Sequence, residues 1–99
     1  MREFGNRLRT LRKQKNLTQK QLASQIGVKN SIISFYEMGD RLPSPEIIVK
    51  LAAIFHVSTD FLMGIDKKEV IDISELTDDD KMVIRLLIDS LKSKSQEKL

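Results

Sequence analysis

The side chains able to do chemistry in this chain are mostly cationic, and they crowd one end. Arg2, Arg7, Arg9, Arg12, Lys13, Lys15, Lys20 and Lys29 are set against a single acid, Glu3, within the first 29 residues, a local charge of +7. The remaining 70 residues carry nine bases and thirteen acids, or −4, which leaves the whole at +3. A basic end on a small protein is the footprint of a polyanion partner. The same run also reads as a solvated helix face, and charge alone leaves both readings open. The reagents of catalysis are missing. With no cysteine, thiol chemistry, disulfides and thiolate zinc sites are excluded, and the lone His56 offers little to a metal. Asp78, Asp79 and Asp80 are consecutive, so on a helix they point in different directions and do not converge on a cation; their place at the positive end of a helix dipole accounts for them. Without a phosphate loop or a nucleophile elbow, the chain is expected to be neither an enzyme nor a holder of cofactor or metal.

The elements that must position these groups are helical. Four glycines and two prolines punctuate the 99 residues, and apolar residues recur at three and four rather than two. Phe4, Leu8 and Leu11 mark one face of a first helix that stops near Lys15 and Asn16. Thr18 with Gln21 three residues on forms a capping box, the hydroxyl accepting from the Gln21 N–H and the Gln21 amide reaching back. That opens a second helix, closed by Gly27, with Leu22, Ala23 and Ile26 inward. A third helix carries Ile33 and Tyr36 inward and ends at Gly39. Ser44-Pro45-Glu46 reads as cap, first-turn proline and first-turn acid of a fourth helix through Ile47, Ile48, Leu51, Ala52 and Phe55. His56 ends it in the left-handed region, which His tolerates better than β-branched residues do. Ser58 caps a short fifth helix with Phe61 and Leu62, stopped by Gly64.

Residues 66–76 alternate charges with Val70, Ile71 and Ile73 and read as a linker or one short strand. Thr77 and the three aspartates then cap a last helix over 77–95, and a polar tail at 96–99 is expected to fray. No apolar run, Met82–Ile84 among them, approaches the roughly 20 residues a membrane helix needs, and the arginine-rich start is unlike a secretory signal. A cytoplasmic chain with no membrane partner is expected.

Two helices joined through Gly27 by a turn of three or four residues have the helix-turn-helix geometry. The spacing is demanding: Ala23 must be small where the next helix crosses, Gly27 must accept its turn, and Leu22, Ile26, Val28, Ile33 and Tyr36 must face inward. Thr18-Gln19-Lys20-Gln21-Leu22-Ala23 through Gly27, then Ile33-Ser34-Phe35-Tyr36-Glu37-Met38-Gly39, resembles the Cro and phage-repressor (XRE) family of DNA-binding regulators. Pro43-Ser44-Pro45, Leu51-Ala52 and Phe55-His56-Val57-Ser58 with Phe61-Leu62 extend the likeness over Arg2 to Ile65.

The resemblance implies an all-α, five-helix DNA-binding domain over 1–65, followed by the C-terminal helix. Its second helix straddles the DNA backbone and its third enters the major groove of double-stranded DNA. Thr18 and Gln19 match positions at phosphate, where helix N-terminal amides favour an anion. Asn30, Ser31, Ser34 and Phe35 match the outward, base-reading positions: Asn30 suits a bidentate pair with adenine, the serines donate or accept, and Phe35 or Ile32 suits a thymine methyl. Lys29 and Arg41 are placed for phosphates, with Arg9 and Lys13 behind them. Asn30 has a competing use as the N-cap of the third helix, because the usual capping position holds Lys29. Phe35 departs from the long polar or basic residue common at its position, which leaves packing on Ile32 or a partner as its alternative. Arg12 and Glu37 match the family's structural ion pair between the first helix and the end of the third.

Met82, Val83, Ile84, Leu86, Leu87, Ile88 and Leu91 exceed what one helical face needs for docking. About half are expected to pack within the chain against the first and fifth helices, with Met82, Val83, Leu86, Leu87 and Leu91 the candidates for a homodimer seam. Two function classes follow: a sequence-specific regulator, typically a repressor, that binds a palindromic operator as a dimer, or an antitoxin or partner-binding adaptor that reuses the fold.

Overall fold

The computed structural model describes the backbone of residues 2–97 and the side chains of residues 2–94. Six helices follow in order: α1 (Arg2–Gln14), α2 (Gln19–Ile26), α3 (Asn30–Met38), α4 (Pro45–Phe55), α5 (Thr59–Met63) and α6 (Asp78–Glu97). The ends of α1 to α5 follow local rules. Asn16 takes a left-handed φ of 57° just past α1, and its N–H donates to the Lys13 carbonyl. At α2 the capping box is complete: Thr18 Oγ1 accepts from the Gln21 N–H at 3.0 Å while Gln21 Oε1 accepts from the Thr18 N–H at 2.9 Å. Ser44 and Ser58 accept from the N–H of Ile47 and Phe61 in the same way. Gly27, Gly39, His56 and Gly64 close their helices in the left-handed region.

One core holds α1 to α5 together. Leu8, Leu22, Ile33, Leu51 and Leu62, one from each helix, are fully buried, and Phe4, Leu11, Ala23, Ile26, Tyr36, Ile48, Ala52 and Val57 pack around them. α3 packs on both α1 and α2, while α5 closes on α4 and α1. A relation absent from the sequence reading sets the α1–α3 distance. Gly5 lies where a Cβ would run into the backbone carbonyl of Glu37 and would sit 2.8 Å from the Tyr36 carbonyl oxygen, so only a residue without a side chain lets the two helices meet there.

Beyond α5 the chain changes character. Residues 66–76 form neither helix nor strand, so the short strand is not present. Asp66 and Asp72 brace the segment locally, their carboxylates accepting from the Lys68 and Ser74 N–H groups. The Ser74 side-chain and backbone hydrogen bonds hold the Asp72 carboxyl below its ordinary value. Thr77 Oγ1 accepts from the Asp80 N–H and starts α6, whose backbone runs to Glu97, two residues past the expected end. Of the tail expected to fray, Gln96 and Glu97 are therefore helical, and Lys98 and Leu99 lie outside the described residues.

The expected docking of α6 on its own domain is not what the structure holds. Met82, Val83, Leu86, Leu87, Ile88 and Leu91 are 45–63% exposed. The reason lies in the receiving surface: among the described residues, α1 and α5 present no exposed large apolar side chain, because their apolar faces are already used in the core. Among the described residues, no helix is long and apolar enough to cross a membrane.

Candidate nucleic-acid interface

The interface is built on α2 and α3, locked together by a buried polar node. Arg12 donates from Nε to Glu37 Oε2 at 2.6 Å and from Nη2 to Glu37 Oε1 at 3.1 Å, and its Nη1 donates to the Leu17 carbonyl at 2.8 Å. Gln19 Nε2 donates to the same Glu37 Oε1 at 3.2 Å. One carboxylate thus joins the end of α3 to α1 and to the first residue of α2. The bidentate geometry answers the charge of a carboxylate taken out of water, as a buried ion pair must. Gln19, expected at phosphate, has its amide nitrogen turned inward to this node. The first-turn N–H groups of α2 remain at that end as the anion-favouring feature.

α3 then shows a divided surface. Ile33, Tyr36 and Glu37 are buried, whereas Asn30 and Ser31 are exposed and Ser34 and Phe35 half-buried on the other side. The cap position is Lys29, which makes no side-chain capping bond, and Asn30 is the first helical residue. Of the two uses open to Asn30, the cap is not what the structure holds: Lys29 takes the cap position and Asn30 is solvent-exposed in the first turn. Ile32 packs partly against the core, which draws it away from that face.

Exposed cations flank the serines and Asn30. Lys29 stands at the N-terminal end of α3, Arg9 and Lys13 on α1 are solvent-facing, and Arg41 stands in the loop after Gly39. The Arg41 guanidinium lies over the Phe35 ring, 4.8 Å from its centroid, a cation–π contact that sequence reading missed. Of the residues given to a DNA surface, Thr18, Lys29, Asn30, Ser31 and Arg41 are exposed, Ser34 and Phe35 are half-buried, and Gln19 is half-buried with its amide on Glu37. Arg12 and Glu37 are buried as the ion pair. The five apolar dimer candidates of α6 are all exposed. Among the described residues, no cluster of His, Asp and Glu fit to hold a metal occurs.

The geometry agrees with comparisons to known proteins. Residues 8–62, more than half of the chain, match the profile of a family described as Helix-turn-helix. An HTH-type transcriptional regulator of Bacillus subtilis, ImmR, is 34% identical over 92 residues, covering 81% of this chain and 72% of its own length. Of two further B. subtilis HTH-type regulators, YqaE and YobD, the chain spans 57% and 55%. The P22 c2 repressor protein in complex with a synthetic operator superposes with a TM-score of 0.58 at 32% identity, covering 60% of this chain and 89% of that one. The SinR protein/SinI protein complex superposes over 96% of this chain and 87% of that one, with a TM-score of 0.61 at 27% identity. Capped α2, the glycine turn, the outward polar face of α3 and the ion pair beneath it, together with these matches, make this chain a member of the helix-turn-helix family of transcriptional regulators.

Proposed function

We propose that the chain represses transcription by binding a palindromic DNA operator as a homodimer, in the bacterial cytoplasm, on a chromosome or a phage genome. The observation that carries this reading is the outward face of α3, where Asn30, Ser31 and Ser34 serve neither core nor cap and stand between Lys29 and Arg41. In this reading Asn30 and the two serines meet base edges in the major groove, while Lys29, Arg41, Thr18 and the N-terminal amides of α2 meet phosphates. Two such helices about 34 Å apart reach half-sites one helical turn from each other. Repression follows where the operator overlaps a promoter. The likeness to a repressor bound to its operator supports this.

The exposed apolar side of α6 supports pairing of two copies through Met82, Val83, Leu86, Leu87 and Leu91, since water-exposed apolar area of this extent favours association. The same surface favours the second reading, an antitoxin or adaptor that captures another protein; the likeness to a regulator in complex with a second protein supports it. Selection from random duplex DNA separates the two. A repressor enriches one dyad-symmetric sequence and binds it with log K falling steeply against log salt. Recovery of no sequence, with shallow salt dependence, overturns the regulator reading in favour of the adaptor.

A further inference from the structure

Phe35 sits at the rim of the outer face of α3, and Arg41 belongs to the loop that leaves that helix. Their contact joins the one aromatic side chain expected to read a base with one of the cations expected to grip the backbone. The guanidinium carbon stands 4.8 Å from the ring centroid, inside the ~6 Å range over which an aromatic face holds a cation. Arg41 is exposed and, among the described residues, forms no ion pair, with neighbouring Asp40 or with any other acid. Its head group is therefore positioned by the ring, with N–H donors left over.

Two physical consequences follow. The ring face under the guanidinium is not open to a thymine methyl, which takes that face of Phe35 away from base reading. An arginine in a loop ordinarily loses rotamer freedom when it grips a ligand, and one already held on a ring loses less. The stack also fixes where along α3 the cation stands, which ties the backbone contact to the register of the base-reading residues.

We propose that Phe35 is a positioning residue for Arg41, holding it as a phosphate clamp at the edge of the recognition helix, and is not itself a reader of bases. This rests on the DNA-binding reading above. The test is a double-mutant cycle of Phe35→Ala and Arg41→Ala, with Phe35→Trp as the variant that keeps an aromatic face. Binding is measured on the duplex that the unsubstituted chain selects from random DNA, across a range of salt. Phe35→Ala is expected to weaken binding about threefold to fivefold, the range of an exposed cation–π contact, and equally for every base substitution in the duplex. Arg41→Ala weakens it at least as much and lowers the salt slope by about one. The double variant binds no more weakly than Arg41→Ala alone, because the ring has nothing left to hold. Phe35→Trp binds like the parent.

A Phe35→Ala loss that persists in full on the Arg41→Ala background, or that changes the preferred base at one position, overturns the proposal. The stack is also read without DNA. Aromatic ring current moves the Arg41 side-chain proton resonances upfield in the free chain, and Phe35→Ala returns them; no such shift overturns the stack itself. If the unsubstituted chain selects and binds no duplex, the DNA-binding reading fails, and the clamp with it, before any variant is compared.

Discussion

The Arg12 guanidinium grips the Glu37 carboxylate across 25 residues of sequence, with the two side chains only 10% and 4% exposed. Because Gln19 donates to the same carboxylate, α2 and α3 are tied together by a group almost wholly withdrawn from solvent. The outer polar face is thus supported by an inner polar node, and the two can be perturbed separately.

Loss of one partner of that node leaves the other charged and buried. Glu37→Ala is expected to destabilise the fold by about 3–5 kcal/mol, while Glu37→Gln, which keeps an acceptor oxygen, costs less. Thermal unfolding followed by circular dichroism measures both. Whatever folded Glu37→Ala remains should keep the parent's base preference, because Glu37 lies beneath the interface.

Gly5 and Gly27 are irreplaceable for different reasons and should respond differently. Gly27→Ala meets no neighbouring atom and suffers only the left-handed backbone at φ 76°, a cost of about 1–2 kcal/mol that Gly27→Asn should reduce. Gly5→Ala drives a Cβ into the carbonyls at the end of α3 and should cost about 1–3 kcal/mol or more, with no relief from asparagine. Denaturant titration of the four variants orders them; equal losses from both alanines would count against the close approach of α1 and α3.

The division of labour across α3 predicts two kinds of binding defect. Asn30→Ala or Ser34→Ala should change the preferred base at one position of the selected duplex, by about 1–3 kcal/mol if a bidentate contact is lost. Lys29→Ala should weaken all duplexes alike and flatten the salt slope by about one. Identical behaviour of the two groups would show the division to be wrong.

Removing α6 should separate assembly from folding. Among the described residues, every buried apolar side chain lies between Phe4 and Leu62, so a chain of residues 1–66 should keep the helical content and melting behaviour of the first five helices. In size-exclusion chromatography with light scattering, the full chain is expected as a dimer and the shortened one as a monomer. A dimer in both would assign pairing to another surface.

How much could be read in advance depended on range. Caps and stops at Thr18, Asn16, Ser44, His56 and Ser58 are decided within four residues, by side-chain oxygens and left-handed backbone, and they are visible in the string of letters. The inward positions at three- and four-residue spacing were equally legible. Gly5 was not, because its need for a bare Cα comes from a carbonyl 32 residues away. The Arg41–Phe35 stack was hidden for a related reason: the loop after Gly39 folds back on the helix it leaves, and nothing local announces that return. At Lys29 and Asn30 the cap has no side-chain bond, so composition carried no signal for which residue begins the helix. The width of the apolar side of α6 was apparent from its residues, yet the absence of a receiving surface on α1 and α5 depends on how completely those helices are used in the core.

The exposed apolar side of α6 has a further consequence. Since, among the described residues, α6 contributes no buried side chain, substitutions on it can accumulate, or the whole segment can be exchanged for another, without repacking the core of the first five helices. Core and last helix occupy different stretches of the chain, so relatives that keep one and replace the other are the variation this architecture makes easiest.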